Sequence, residues 1–479
     1  MNISARILVA ALALVCILVS LFACAGKNDT PKSTGGLSGA TESNVETAPP
    51  VIDLDGESFL ICGELDMLET FFFEEEQSDE LVSDAKYRMI SNVEEKYDVD
   101  IDIYDSGVVA YDHVGMIKSM IDAGETTYSL VEMHDVLGTD CAVNGYFHNL
   151  KNVPYLETER PWWHNAEDMT INGNLYMIST DMTYIDISNT WAIFFNKQLM
   201  TDYQIEYPYE TVRSGEWTLD RLIAMTKDVY SDLNQNNEVD KGDIYGYCGG
   251  LTMYAWMEAL GCPMTVIDSD GMLAVTDQIS KVSDIASKMY EWLHNSIGAK
   301  TSGASDYFDY EGFMDGQYMM FQGPIKFAAN QLRALDGFEY GVLPMPKYEE
   351  KQPSYITTSM SYPFWIPSSV GEEQTRVTGL MVEALSCEGY NTLIPAYYEK
   401  ALKDKYSPGD TDSEMIEIIH GSRRPDIVRY YNLSGGIQGM YHILYDVYTS
   451  GNTDIMSYFD SKLASTTELL NIYNRAYGF

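Results

Sequence analysis

Val99-Asp100-Ile101-Asp102-Ile103 alternates apolar and acidic side chains without a break, the period of two expected of a strand with one face on a core and one in water. Before it, 85–97 reads as a helix, and Phe59-Leu60-Ile61-Cys62 as an earlier strand. After it, a helix near 114–123 has Gly124 as its C-cap, and the apolar run Ser129-Leu130-Val131-Glu132-Met133 follows as a further strand. Short apolar runs alternating with amphipathic stretches, with no internal repeat, predict an α/β body. His134 and Asp135 then fall at the carboxyl end of a parallel strand, the rim where open α/β sheets bind ligands. A satisfied loop pair is the alternative reading there.

The chain has 479 residues, 45% of them hydrophobic and 12% aromatic, enough for a large core in two domains or one very large one. Its formal net charge of −42 argues against binding nucleic acid or anionic lipid through the protein surface. It suits an extracytoplasmic protein and a bound divalent cation. Beyond Cys16 and Cys24, five cysteines remain: Cys62, Cys141, Cys248, Cys262 and Cys387. None is in CxxC spacing and no histidine cluster accompanies them, so zinc is not expected. Cys248 and Cys262 are the pair near enough in sequence to suggest a bridge.

At the N-terminus, 7–22 is an uncharged apolar or small-residue run after Arg6. It is short of the roughly 20 residues a membrane span needs, and small residues with a cysteine follow it, as in a cleaved export signal. Leu21-Phe22-Ala23-Cys24 resembles the lipobox of bacterial lipoproteins, although Phe22 is bulkier than the residue usual there. The resemblance implies a signal peptide over 1–23 and a diacylglyceryl group on Cys24. An ordinary cleaved signal or a transmembrane anchor are the alternatives. The stretch 24–56 is rich in Gly, Ser, Thr and Pro and reads as a tether, spanning about 30 Å if it behaves as a random chain.

Trp191-Ala192-Ile193-Phe194-Phe195-Asn196-Lys197 is a long apolar strand ending in Asn-Lys. Tyr207-Pro208 and Gly215-Glu216-Trp217-Thr218 then open a new section, where Thr218 caps a helix with Leu219, Leu222, Met225 and Val229 at near-helical spacing. The series FFNKQLM, YP, GEWTLDRLIAM and DIYGY, with Phe313–Phe321, Tyr340–Tyr348, Pro395-Ala396-Tyr397-Tyr398 and Glu414-Met415-Ile416 downstream, resembles the extracellular solute-binding proteins of ABC importers, in particular the carbohydrate-binding, family 1-like group. The resemblance covers most of the chain from about Phe59. It implies a type II periplasmic-binding-protein fold, two discontinuous α/β lobes joined by a hinge. Lobe 1 would comprise 57–185 and 366–405, lobe 2 196–355 and 406–479, with hinge crossings at 186–195 and 356–365. The expected action is that of a monomeric, non-catalytic receptor: it closes on a carbohydrate and presents it to a membrane permease, held at the outer face of the cell membrane by the lipid on Cys24.

Sugars expose hydroxyl edges and weakly apolar C–H faces, so receptors stack aromatic rings on the faces and turn carboxylates and amides to the hydroxyls. At the positions the resemblance marks stand Tyr184, Trp191, Tyr254, Trp256, Tyr362 and Trp365, with Asp135 and Asp181 as acceptors. For each aromatic, packing in the core is the competing role. After Gly323-Pro324, where relatives place a cleft aromatic, this chain has Ile325. Trp162 and Trp163 are exposed-loop candidates, with packing against the neighbouring lobe the favoured alternative.

The segment Asp232-Leu233-Asn234-Gln235-Asn236-Asn237-Glu238-Val239-Asp240-Lys241-Gly242-Asp243 has the oxygen spacing of a calcium loop. Asp232, Asn234, Asn236, Asp240 and Asp243 stand at positions 1, 3, 5, 9 and 12, with Glu238 at position 7. Asn237 replaces the usual glycine and Asp243 the usual glutamate. A helix is expected before the loop and a strand, Ile244-Tyr245-Gly246-Tyr247, after it. The reading is a structural Ca2+, with a solvated acidic turn as the alternative. A surface glycosidase or lyase is the rival from the enzyme class, but the sequence has no GxSxG, HExxH or phosphate-binding glycine loop and its 7 histidines lack a triad-like context. An adhesin or sensor using the same fold without a transporter is the other.

Overall fold

The computed structural model describes residues 49–109, 112–240, 242–249, 253–301, 309–398, 410–425, 430 and 443–479. The expected export signal, the lipobox-like segment with Cys24 and most of the expected tether lie outside them. Among the described residues the strands form three sheets. The first has the order β12-β3-β1-β2, from β1 (Glu57–Gly63), β2 (Val99–Asp105), β3 (Leu130–Glu132) and β12 (Phe364–Trp365). β1 runs parallel to β2 and β3, while β12 is antiparallel to β3. In β2, Val99 and Ile101 are buried while Asp100 and Asp102 are exposed, the one-sided strand its alternation predicts.

Helix α1 (Leu81–Tyr97) leads into β2; Glu80 caps its start by accepting the N–H groups of Val82 and Ser83, two of the donors a helix N-terminus leaves unsatisfied. Helix α2 (His113–Asp122) ends before Gly124, which takes a positive φ of 73°. Helix α3 (Asp135–Val143) begins directly after β3, and α4 (Ile185–Ser188) is a single turn.

The second sheet has the order β11-β4-β10-β6-β5, from β4 (Trp191–Asn196), β5 (Tyr230–Ser231), β6 (Ile244–Gly249), β10 (Tyr318–Pro324) and β11 (Tyr340–Leu343). A further strand, β9 (Ala299–Thr301), also pairs with β6. β4 is antiparallel to both β10 and β11 and buried along its whole length, which is why WAIFFN reads as a continuous apolar run with no alternation. Helix α5 (Leu219–Thr226) starts as expected, with the Thr218 hydroxyl accepting the Arg221 N–H at 3.3 Å. The acidic loop, however, sits between β5 and β6, so a short antiparallel strand and not the expected helix directly precedes it. The third sheet is the hairpin of β7 (Thr265–Ile267) and β8 (Leu273–Val275).

Helix α6 is Met253–Ala259, α7 Ile279–Asn295, α8 Glu372–Asn391, α9 Asp410–Gly421 and α10 Ile455–Ala476. α8 returns to pack on α1, beside the first sheet, whereas α7 and α10 pack with each other beside the second. The chain therefore visits the first sheet, the second, and then the first again for β12 and α8, forming two discontinuous α/β lobes. No helix among the described residues is long and apolar enough to cross a membrane. The five cysteines of the body are all buried and none is in a disulfide, so Cys248 and Cys262 are not bridged.

Candidate functional site

Three segments lie side by side where the chain passes between the two sheets. Thr190 pairs with Ser359 as an antiparallel bridge, and Thr357 with Arg423 as a parallel one. Backbone bonds tie them: Trp191 N–H to Thr358 O, Thr357 N–H to Ser422 O and Arg424 N–H to Thr357 O. The Thr357 hydroxyl donates to Trp191 O at 2.8 Å, and the Asn189 amide to Met360 O at 2.9 Å. The first two segments are those expected to cross. The third, at 422–424, was not expected; it is too short to carry a periodicity.

Charged side chains collect on this strap. His164 is held between two carboxylates, Nε2 at 2.6 Å from Asp181 Oδ1 and Nδ1 at 3.2 Å from Asp186 Oδ2. Burial alone would lower the imidazole's pKa, but Asp181 and then Asp186 outweigh it and hold it up at about 9, so the ring is cationic near neutrality. Burial likewise opposes the charge on Asp186, yet bonds from His164 and from the Ser179 hydroxyl keep its pKa below the usual carboxylate value. Arg423 is lowered by burial and drawn back by Asp186 and Asp181. A small cavity of about 20 Å³ opens among these groups, with His164, Ser179, Asp186, Ser359 and Arg423 on its wall.

A second cluster stands at the rim of the first sheet. His134 caps α3 and its Nδ1 lies 2.9 Å from Asp135 Oδ1, while Asp135 Oδ2 accepts the Ser361 N–H at 2.9 Å. The Tyr362 ring meets the His134 ring edge-on at 4.9 Å. The structure thus brings Asp135 and Tyr362 together at the carboxyl end of β3, and places Asp181 in the neighbouring His164 cluster.

The other expected ligand residues are placed differently. Trp191, Trp256 and Trp365 are completely buried. Trp256 donates to Gln322 at 3.1 Å and packs edge-on against Trp292; Trp365 stacks on Phe147 at 5.0 Å. As placed, these rings are core and offer a ligand no face. Tyr184 is sandwiched between Phe71 and Tyr397 and donates to Thr70 O at 2.7 Å. The side chain of Tyr254 lies outside the described residues. Trp162 and Trp163 are buried as well, both indole N–H groups donating to the Glu383 carboxylate, at 2.8 and 3.1 Å.

In the acidic loop, Asp232 Oδ2 accepts the Asn237 N–H at 2.8 Å, and the Asn234 and Asn236 carbonyls accept the N–H groups of Asn236 and Glu238. Gln235 and Asn237 take the left-handed conformation, at φ 58° and 60°. The amides of Asn234 and Asn236 donate to Asp240. Asp243 is buried and holds the loop's base, accepting from Asp240 N, Leu233 N and the Tyr230 hydroxyl; the first of these leads in keeping its carboxyl below the usual range. Asp232 Oδ1 is buried without a partner. Among the described residues no three His, Cys, Asp or Glu side chains converge as a metal site, so the loop as it stands is tied by its own asparagine–aspartate bonds.

No family model matches the chain, and no curated protein does. Solved structures do. An ABC substrate-binding protein from Listeria monocytogenes, in complex with cycloalternan, superposes with a TM-score of 0.55 over 89% of this chain and 100% of its own, at 12% identity. The chain has the fold of an ABC solute-binding protein. The same fold is seen in the GacH receptor of Streptomyces glaucescens, solved unliganded and with acarbose (TM-score 0.54, 14% identity, 87% of this chain and 99% of that one). An open conformation of a sugar transporter protein from Rhizobium etli gives 0.58 at 12% identity, over 86% and 99%. In open α/β sheets ligands bind beyond the carboxyl ends of the strands, and the His134–Asp135–Tyr362 cluster stands at that end of β3.

Proposed function

We propose that this chain is a lipid-anchored receptor that captures a carbohydrate, of oligosaccharide size, between its two lobes and delivers it to an ABC permease. The observation that carries this reading is the likeness of fold over nearly the whole described body to solute-binding proteins, two of which were solved with cycloalternan and acarbose. On this reading the lobes are 57–185 with 366–405 and 196–355 with 406–479, and the strap at 186–195 and 356–365 is the hinge about which they close. The lipobox at Cys24 supports tethering at the outer membrane face. The chemistry is binding without turnover. A thermal-shift screen of the purified mature protein across sugars, polyols and peptides, followed by calorimetry, tests it. Saturable binding of a sugar with no product is the expected result; cleavage of an oligosaccharide would make the protein an enzyme, and a response to peptides alone would reject the carbohydrate.

Ca2+ in the loop is a second part of the proposal. Asp232, Asn234, Asn236, Glu238, Asp240 and Asp243 supply oxygen alone, the donor class a hard cation takes, and the partnerless Asp232 oxygen is the atom that fits it best. The ion would pin the β5–β6 connection. Removing it with a chelator is expected to lower the melting midpoint, and elemental analysis should find calcium; an unchanged midpoint in metal-free protein rejects the site.

A further inference from the structure

A second cavity, of about 560 Å³, shares no wall residue with the small one on the strap and lies where the short helix Tyr209–Arg213 and α9 meet the chain at 353–355. That volume falls in the range of small-molecule sites, roughly 300–1,000 Å³. Its wall includes Lys347, which is only 5% exposed. The ammonium donates to Glu350 O at 2.9 Å and to Gln352 O at 3.2 Å, and it lies over the Tyr355 ring, 5.5 Å from its centre. It pairs with no carboxylate among the described residues. A buried charge met by carbonyls alone keeps much of its desolvation cost, and two hydrogen bonds leave one of its three donors over. Gly215, also on the wall, puts no side chain across Nζ, where a Cβ would stand 3.3 Å away.

The other wall groups restrict which anion fits. Arg213 is spent on Glu414 and Glu210, so Lys347 carries the one uncompensated charge on the wall among the described residues. A dianion such as phosphate would bring a second negative charge towards Glu414, which shares that wall. Val212, Pro353, Ile418 and the ring of Tyr355 supply apolar surface, the Tyr355 hydroxyl being already bonded to Val212 O at 2.9 Å. They enclose far more room than a carboxylate alone fills. Long-range attraction gives no help, because the net charge of −42 repels any anion. Selection therefore rests on the local contact with Lys347.

We propose that this cavity binds a small monocarboxylate with an apolar body, its carboxylate on Lys347 and its body against Tyr355, Val212 and Ile418. The wall residues at 353–355 and 421–422 run directly on to Thr357 and Arg423, so the occupant rests against the roots of two of the three connecting segments. Its chemistry is not that of a sugar site, and its test uses no sugar. The assignment therefore stands or falls apart from the carbohydrate reading.

The test is calorimetry of the full mature chain with benzoate, set against benzyl alcohol as the uncharged analogue and inorganic phosphate. Benzoate is expected to saturate, with the other two weaker by about tenfold or more. Lys347→Gln, which keeps a donor for one carbonyl, should weaken benzoate by about tenfold or more. Ser354 is an exposed residue of the same wall, so Ser354→Asp adds a negative charge there without disturbing the core. It should weaken benzoate in the same way, while Ser354→Asn binds as the parent does. Melting midpoints show which variants are folded, and if Lys347→Gln is not, the Ser354 pair decides. The assignment falls if benzoate fails to saturate by about 10 mM, or if benzyl alcohol or phosphate binds as tightly. It falls equally if folded Lys347→Gln or Ser354→Asp binds benzoate like the parent.

Discussion

Glu383 shows how one residue on α8 organises a loop far away in sequence. Its carboxylate accepts the indole N–H groups of Trp162 and Trp163 and the N–H of Glu157, so one carboxyl group satisfies two buried donors and a partly buried one. Burial nevertheless raises its pKa from 4.5 to about 7, against the pull of those same bonds. A carboxyl raised in the folded state contributes most below its unfolded value, and that contribution declines as pH rises through about 7. Glu383→Ala strands the indoles and is expected to cost roughly 2–5 kcal/mol. Glu383→Gln turns an amide NH2 on one donor and should cost less. Urea denaturation between pH 5 and 8 checks both the order and the flatter pH slope of the variants. Packing was the favoured expectation for Trp162 and Trp163, but against the neighbouring lobe; their partner is Glu383 of the same lobe, some 220 residues on, with no local spacing to reveal it. The same holds for Arg423 and Asp186. Asp181 was legible as an acceptor at a crossing, but its partner His164 follows a Trp-Trp pair that drew attention to aromatics.

At the scale of elements, the patterns that were readable are those with a period. The alternation in β2 and the cap of α5 both appear where expected. Trp191, Trp256 and Trp365 are core because a strand such as β4, covered on both faces, uses large rings to fill it, and residue type alone does not separate a ring that packs from one that stacks on sugar. α8 shows what fixes an element's seat. At Gly389 an added Cβ would stand 2.0 Å from the Asp181 carbonyl oxygen, and at Gly379 2.1 Å from that of Pro154. Backbone cannot rotate aside, so Gly389→Ala is expected to destabilise by about 1–3 kcal/mol or more. It should also disturb the Asp181–His164 pair. Gly421→Ala in α9, where nothing lies within 4 Å, is the control and should be neutral or slightly stabilising. Chemical denaturation of the two variants, set beside each other, reads the difference.

For the whole molecule, a formal charge of −42 over 479 residues is a standing self-repulsion that favours expansion. Added salt screens it, with a Debye length of about 8 Å at physiological ionic strength. The melting midpoint is therefore expected to rise between 10 mM and 150 mM sodium chloride; a fall would mean that attractive ion pairs such as Arg213–Glu414 outweigh the net repulsion. Fold class was legible because alternation of elements is a global pattern, whereas the return of the chain to its first sheet was implied by the resemblance to solute-binding proteins. The third connecting segment was not, since its role depends on which strands it lies beside.

The five thiols of the body have a consequence for how the protein can be handled. All are buried and none is in a disulfide; burial is the main reason the thiols of Cys62 and Cys141 are pushed up to about 12 and that of Cys262 to about 11, leaving almost no thiolate at neutral pH. The folded body should ignore both reductant and alkylating reagent. A maleimide that reacts with Cys62, Cys141 or Cys262 marks a molecule that has opened, so the protein carries its own clock for unfolding.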